Sequence, residues 1–520
     1  MRRLLTTMMM GLAGIQGSMY LAAENRPRLV VGIMVDQLRT DYLEQLKDMF
    51  GQGGFRRLMD GSLYYKDIDF KVVPGDAASA SAVVQTGTYP RYNGIVASFV
   101  YDPASKSLRH IFSDDNYIGN FTDEKYSPAA LRVTTLTDEL TIEEKGKTRI
   151  HSIAPESAQA LVMAGHTGNS AFWINDESGR WSSTTYYQNP PAYLQNLNYN
   201  SPLVARLDTI RWTPVKGGEP YPLVDVNELK SPFRYSFPRS DRDVFSNYKQ
   251  SPYVNRDITE AAAKYLEELN LGKNAEFTDV LNLGLTLTPY PGAEENYRYT
   301  LEDAYLRLDS DLEKFFNALD RQVGRDNLLI YLISTGYFNE PAVDSSKYRL
   351  PGGTFSVKRA ISLLNAYLSA KYGNGAYIER FVDNQIYFSA PLLEEKGIET
   401  KRVAEDARDF LVRMSGVADA FTMADLLNPS IDELDRLRLA VDPKSAGDIF
   451  VEFSPGWTVV DDSKFPSTVK DNKNTAYQFP GFILIPGENP KVVEETIEAV
   501  DIAPKIAGAL KIRPPNGINN

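Results

Sequence analysis

Cysteine occurs nowhere in the 520 residues. That excludes disulfides, thiolate metal sites and lipid attachment through a cysteine. Histidine is almost as scarce, at three residues: His110, His151 and His166. None is spaced as a metal pair and no HExxH occurs, so all three read as structural or surface groups. Positive charge is short as well. Fifty-six Lys and Arg stand against 68 Asp and Glu, a formal net charge of −12. A nucleic-acid binder would carry a basic footprint instead. Past the N-terminal leader no stretch reaches the roughly 18 unbroken apolar residues of a membrane span. There is no Walker loop, no GxGxxG after a strand and no GxSxG elbow.

What is present is the composition of a globular protein, with 43% apolar and 24% charged residues. The length accommodates one large domain with insertions, or two to three smaller ones. The 30 Tyr and 24 Phe serve a buried core more readily than a recognition surface. The chain begins MRRLLTTMMMGLAGIQGSMYLAAEN. Arg2 and Arg3 form a positive n-region, Leu4 to Leu21 a mostly apolar h-region, and Ala22 and Ala23 a small-residue cleavage site. Residues 1–23 are therefore expected to be a secretory signal peptide. Removing them makes the chain more acidic still and leaves no transmembrane segment. The expectation is a soluble exported protein, periplasmic or otherwise outside the cytoplasm.

Three apolar runs read as core strands: RLVVGIMVD ending at Asp36, DVLNLGLTLTP ending at Pro289, and NLLIYLISTGY ending at Gly336 and Tyr337. In an open α/β sheet, ligands sit beyond the carboxyl ends of the strands. Helices are expected over Thr40 to Met49, Phe55 to Met59, 75–87, 257–269, 300–323 (Leu301, Ala304, Leu308 and Leu312 on one face) and 501–512. Residues 90–130 are loop-rich. Residues 150–255, rich in Tyr, Pro and Ser and poor in periodicity, read as an inserted, surface-decorating region. Residues 345–430 read as a smaller α+β insertion of helix, strand and helix. DIFVEFSPGW (448–457) and FILIPG (482–487) are expected strands.

The blocks RPRLVVGIMVDQLRTDYL, GGFRRLMDGS, QTGTYPRYNGIV, YLRLD, FSPGW and VDIAPKIAGALKIRPPNG follow one another as in the alkaline phosphatase superfamily. The sequence most resembles the branch of exported bacterial phosphomonoesterases that use a Thr nucleophile, within a superfamily that includes type I phosphodiesterases and nucleotide pyrophosphatases. The resemblance covers most of the mature chain, residues 24–520. It implies an α/β fold: a three-layer core around a mostly parallel central sheet, with the two insertions attached. It also implies a two-zinc site in which one ion activates the nucleophile and the other stabilises the leaving oxygen.

Matched to that family's motifs, the first-strand Asp is kept as Asp36. The nucleophilic Thr falls on Ala77, and the His that follows it on Ser81. The Asp and His of the Thr-Asp-x-x-Gly-His block fall on Pro289 and Ala293. Those of the Ala-Asp-His-Gly block fall on Gly336 and Tyr337, and the C-terminal His falls near Gln478. The phosphate-contacting Asn falls on Ser98, and the Lys-x-Arg clamp around Pro155 to Ala158, where only Glu156 is charged. Of the ligand and nucleophile positions only Asp36 survives. Ala, Gly and Pro offer neither a metal-ligating nor a nucleophilic side chain.

The expected function is accordingly an exported pseudophosphatase: the fold kept, the zinc ligands and nucleophile lost. No catalytic residue and no cofactor are expected. It would act as a binding or assembly protein with an envelope protein or glycan partner. Asp36, Ser79, Ser81 and Tyr337 are candidates to line the old cleft as ligand-binding residues, and Trp173, Trp181, Tyr186 and Tyr187 to anchor a partner, against local packing. Asp76 is expected to cap a helix. The alternative is a periplasmic phosphomonoesterase or phosphodiesterase whose zinc is held by a rearranged site drawing on Asp76, Glu294, Glu295 or Asp303.

Overall fold

The computed structural model describes residues 26–187, 192–217, 221–222, 232–293, 296–340, 352–463, 468–469 and 472–519. The expected signal peptide, residues 1–23, and the pair Glu294 and Glu295 lie outside the described residues. The central sheet has ten strands: β1 (Leu29–Asp36), β2 (Leu63–Tyr65), β3 (Gly119–Asn120), β4 (Ile150–Ile153), β5 (Ser170–Ile174), β6 (Trp181–Thr184), β7 (Asp279–Thr286), β8 (Leu328–Ser334), β9 (Gly481–Leu484) and β10 (Lys491–Val493). Their spatial order is β10-β2-β9-β8-β1-β7-β4-β5-β6-β3. The middle of the sheet, β8-β1-β7-β4-β5, is parallel throughout, and antiparallel pairings begin at β9 and β6.

β1 shows why the sequence folds this way. Its residues are apolar on both faces, as a strand covered on both sides requires. Val31, Ile33 and Val35 enter one core, shared with α3 (Pro252–Glu268) and α4 (Tyr297–Gln322). Val30 and Met34 enter the other, shared with α1 (Ala77–Thr86) and α5 (Ile502–Leu510). α2 (Ser157–Ala164) packs with Ala78 and Ala82 of α1 in a further apolar cluster beside them. The result is the three-layer α/β core expected from the sequence.

Gly32, at the middle of β1, has a specific cause. A Cβ there would lie 2.2 Å from the Tyr331 hydroxyl and 2.3 Å from Asn282 Oδ1. The missing side chain makes room for a buried polar chain across the sheet. Gln85 Nε2 donates to Tyr331 Oη at 2.7 Å, and Asn282 Nδ2 donates to the Met163 carbonyl at 2.6 Å.

Two expectations about organisation are corrected. Residues 150–255 do not begin as a surface insertion, because β4, β5 and β6 belong to the main sheet. The aromatics farther along are also core: Trp212, Tyr221 and Tyr248 are all at or below 1% exposure. Asp303 of α4 ties this region down. It accepts from Trp212 Nε1, Tyr221 Oη, the Val215 amide and Arg307 Nε, at 2.7, 2.8, 2.7 and 2.6 Å. The smaller α+β unit, in turn, runs past 430. Its core joins Phe355, Leu364 and Val403 to Ile449 and Val451, so the strand Ile449–Phe453 belongs to it.

Candidate functional site

Asp36 ends β1 at the carboxyl edge of the sheet, beside Thr286 of β7. Its carboxylate is surrounded by donors from this chain. Thr335, just past β8, donates its hydroxyl to Oδ1 at 2.8 Å, and the same Thr335 oxygen accepts the Gln37 amide at 2.9 Å. Gln37 Nε2 reaches Oδ2 at 3.4 Å. The Tyr337 hydroxyl is a further hydrogen-bond partner. Desolvation pushes the Asp36 carboxyl up, while the Thr335, Tyr337 and Gln37 donors and the Lys473 charge pull it back. The strand-end carboxylate thus accepts hydroxyl and amide hydrogen bonds where a ligand set would leave it open.

The other positions lack donors for a metal. Ala77 is the first residue of α1. Asp76 caps that helix, accepting the Ser79 amide at Oδ1 (3.0 Å), and it accepts the Ser98 amide at Oδ2 (2.6 Å). A carboxylate from the chain therefore sits on the helix N-terminus, the place where a bound anion would be favoured. Ser79 and Ser81 are corrected as cleft-lining groups. Both are fully buried, and Ser81 Oγ donates back to the Ala77 carbonyl at 2.7 Å.

Pro289 follows the end of β7, and Ala293 is buried. Tyr290 between them packs in an aromatic cluster with Trp212 and Tyr235 at centroid distances of 5.1 and 4.9 Å. Gly336 adopts φ 75°, and a Cβ there would lie 2.1 Å from Phe70 Cδ2. An acidic side chain at this position would have to displace that ring. Tyr337 is 3% exposed and fills the space beside Asp36. Gln478 is exposed, and it is its carbonyl that the structure uses, accepting the Thr40 amide at 3.0 Å.

At the clamp position the charge is reversed. Glu156 Oε2 and Asp176 Oδ1 each lie 2.7 Å from Lys249 Nζ, which is almost wholly buried. Burial pulls Lys249 down, and its two carboxylate partners hold it above the usual lysine range. Among the described residues no group of three or more His, Asp or Glu is placed to hold a metal ion. The donor set does not fit the two zinc ions that the superfamily implies.

A family model described as type I phosphodiesterase / nucleotide pyrophosphatase matches residues 30–478. The chain belongs to that family. This phosphodiesterase-family chain, and with it the alkaline phosphatase superfamily fold, has relatives over nearly its whole length. It is 26% identical over 528 residues to a protein named alkaline phosphatase PhoV from Synechococcus elongatus, covering 97% of this chain and 94% of the relative. It is 27% identical over 520 residues to a protein from Myroides odoratus named calcium-transporting ATPase, covering 95% and 93%. The crystal structure of alkaline phosphatase PafA, a protein of Elizabethkingia meningoseptica, superposes with a TM-score of 0.80 at 25% identity, covering 95% of this chain and 97% of that one.

Sequence reasoning missed the groups that contact these positions: Thr335 and Gln37 at Asp36, Lys249 at Glu156, and Lys473 at the Pro74 and Gly75 carbonyls. The Thr before Gly336 was visible in STGYF, but nothing in the local sequence marks either lysine. The histidines are structural. His110 stacks on Tyr126 at 3.9 Å, and its Nδ1 accepts the Phe112 amide at 3.3 Å. His151 pairs with Ser170 Oγ at 2.8 Å, and His166 with Asp138 at 2.8 Å. Trp173, Trp181 and Tyr187 are buried, and the Tyr186 hydroxyl donates to the His166 carbonyl at 2.8 Å, so these aromatics pack rather than present a surface. No described helix is long and apolar enough to cross a membrane.

Proposed function

We propose that this phosphatase-like protein is an exported pseudophosphatase, which holds the superfamily fold for a binding or assembly role in the cell envelope and does not hydrolyse phosphoesters. The observation that carries this reading is the strand-end edge itself. Ala77, Pro289, Ala293 and Gly336 offer no ligating side chain, and the one retained carboxylate, Asp36, is engaged by Thr335 and Gln37. Two-metal hydrolysis needs an activated nucleophile and two cages of anionic or imidazole ligands. The named alkaline phosphatases among the relatives support ancestry in that chemistry, and the donor set here argues against its survival. A partner protein or glycan in the envelope is the corresponding occupant of its surface.

The test is turnover of p-nitrophenyl phosphate and bis-p-nitrophenyl phosphate by the mature protein, with and without added zinc. The expected result is no rate above the buffer blank in either condition. Zinc-dependent turnover that co-purifies with the protein through two columns would overturn the reading in favour of a rearranged metal site.

A further inference from the structure

Lys473 lies on a two-residue strand, Lys473–Asn474, paired antiparallel with Phe338–Asn339 immediately after Tyr337. That pairing carries its side chain back over the carboxyl edge of the sheet. The ammonium donates to the Pro74 carbonyl at 3.0 Å and to the Gly75 carbonyl, in the loop just before Ala77. It also lies 4.9 Å from the centre of the Tyr337 ring. Burial keeps the Asp36 carboxyl above the ordinary range; the Thr335, Tyr337 and Gln37 donors and, least, the Lys473 charge oppose that shift. One cation thus bridges the loop leading into α1 and the residues that follow β8, and Tyr337, which it faces, is itself a hydrogen-bond partner of Asp36 at the end of β1.

We infer that Lys473 is the resident cation of the strand-end site, its ammonium supplying from within the chain the positive charge around which Asp36, the Pro74–Gly75 carbonyls and Tyr337 are arranged. Three physical points support this. A carboxylate withdrawn from water needs an opposite charge nearby, or it neutralises. The carbonyls of Pro74 and Gly75 point their negative ends at one spot, and the ammonium satisfies both. An aromatic face beside a cation adds attraction of electrostatic origin. The inference rests on the proposal above that no metal occupies this edge. It adds what the edge has become: an internally neutralised junction that locks three segments together.

The test is a double-mutant cycle on the mature protein, with Lys473→Met, Asp36→Asn and the pair, read by thermal unfolding at pH 7.5. Met keeps the stem of the side chain and removes the charge. Lys473→Met alone should lower Tm by roughly 2 °C, and the loss should shrink to under half in the Asp36→Asn background. If Lys473→Met does not accumulate as folded protein, the double variant should restore it. A charge role further predicts that Lys473→Ala regains part of its lost Tm in propylammonium chloride and none in sodium chloride of equal ionic strength. A Lys473→Met protein as stable as the parent would overturn the inference, and so would losses that simply add. Either result in zinc-free, inactive protein leaves the pseudophosphatase reading standing, whereas zinc uptake by the parent would overturn that reading first.

Discussion

Replacing His151 with Gln should make this protein resist acid. His151 is 7% exposed on β4, between β5 and β7, with its ring centre 5.0 Å from that of Tyr265 in a T-shaped arrangement. Burial pushes its pKa down to about 3, and Arg149 adds to the effect. An unfolded histidine titrates near 6.5. The folded value lies below the unfolded one, so the unfolded chain takes up more protons in acid. The stability due to neutral His151 is complete above about pH 7 and is lost as pH falls through 6.5 toward 3. At pH 5 the unfolded imidazole is protonated about 30-fold over neutral while the folded one stays neutral, a cost of about 2 kcal/mol. Gln can still bond Ser170 Oγ and does not titrate. Urea denaturation of parent and His151→Gln at pH 8 and pH 5 should therefore show the difference between them moving by about 2 kcal/mol in the variant's favour. Parallel pH profiles would refute the argument that burial keeps this ring neutral.

Three further outcomes follow from particular contacts. His166 behaves oppositely: Asp138 holds its pKa above the ordinary value despite partial burial, so its stabilisation is complete below about pH 6.5 and fades as pH rises through the folded value. His166→Gln should then lose more stability relative to the parent at pH 6 than at pH 9 in the same urea assay. Gly32→Ala drives a methyl into the Tyr331 and Asn282 side chains and should cost roughly 1–3 kcal/mol of overpacking, visible as a lower Tm with an unchanged far-UV spectrum. Asp303→Ala strands the buried Trp212 and Tyr221 donors and should cost roughly 3–5 kcal/mol, with limited proteolysis cutting within 192–217 before the rest of the chain.

The long central strands were legible because a strand covered on both faces must be apolar throughout, and LVVGIMVD and LLIYLIS satisfy that over seven or eight residues. The α3 and α4 helices were legible from their amphipathic spacing. β4 was not, because IHSI is four residues long with a His and a Ser inside it. Its burial comes from β5, β7 and Tyr265 rather than from its own composition. The aromatic region after it was read as surface for the same reason: Trp212 and Tyr221 are core only because Asp303, some 80 to 90 residues away, receives their polar ends. At the site, the positions to which the resemblance assigns ligands could be read one by one as Ala, Pro and Gly. The groups that contact the site could not. Lys473 meets Gly75 across 398 residues of sequence, and Lys249 meets Glu156 across 93, so only the folded chain brings them together.

Metal content is the most direct test of the central claim. Residues 24–520, saturated with zinc, desalted and analysed by elemental mass spectrometry, should retain less than about a tenth of an equivalent, because among the described residues Asp36 stands without a cage. The Ala77→Thr variant should retain no more and should turn over no phosphoester, since a nucleophile without ligands has nothing to activate it. One to two tightly held equivalents in the parent, or zinc-dependent turnover in Ala77→Thr, would contradict the account.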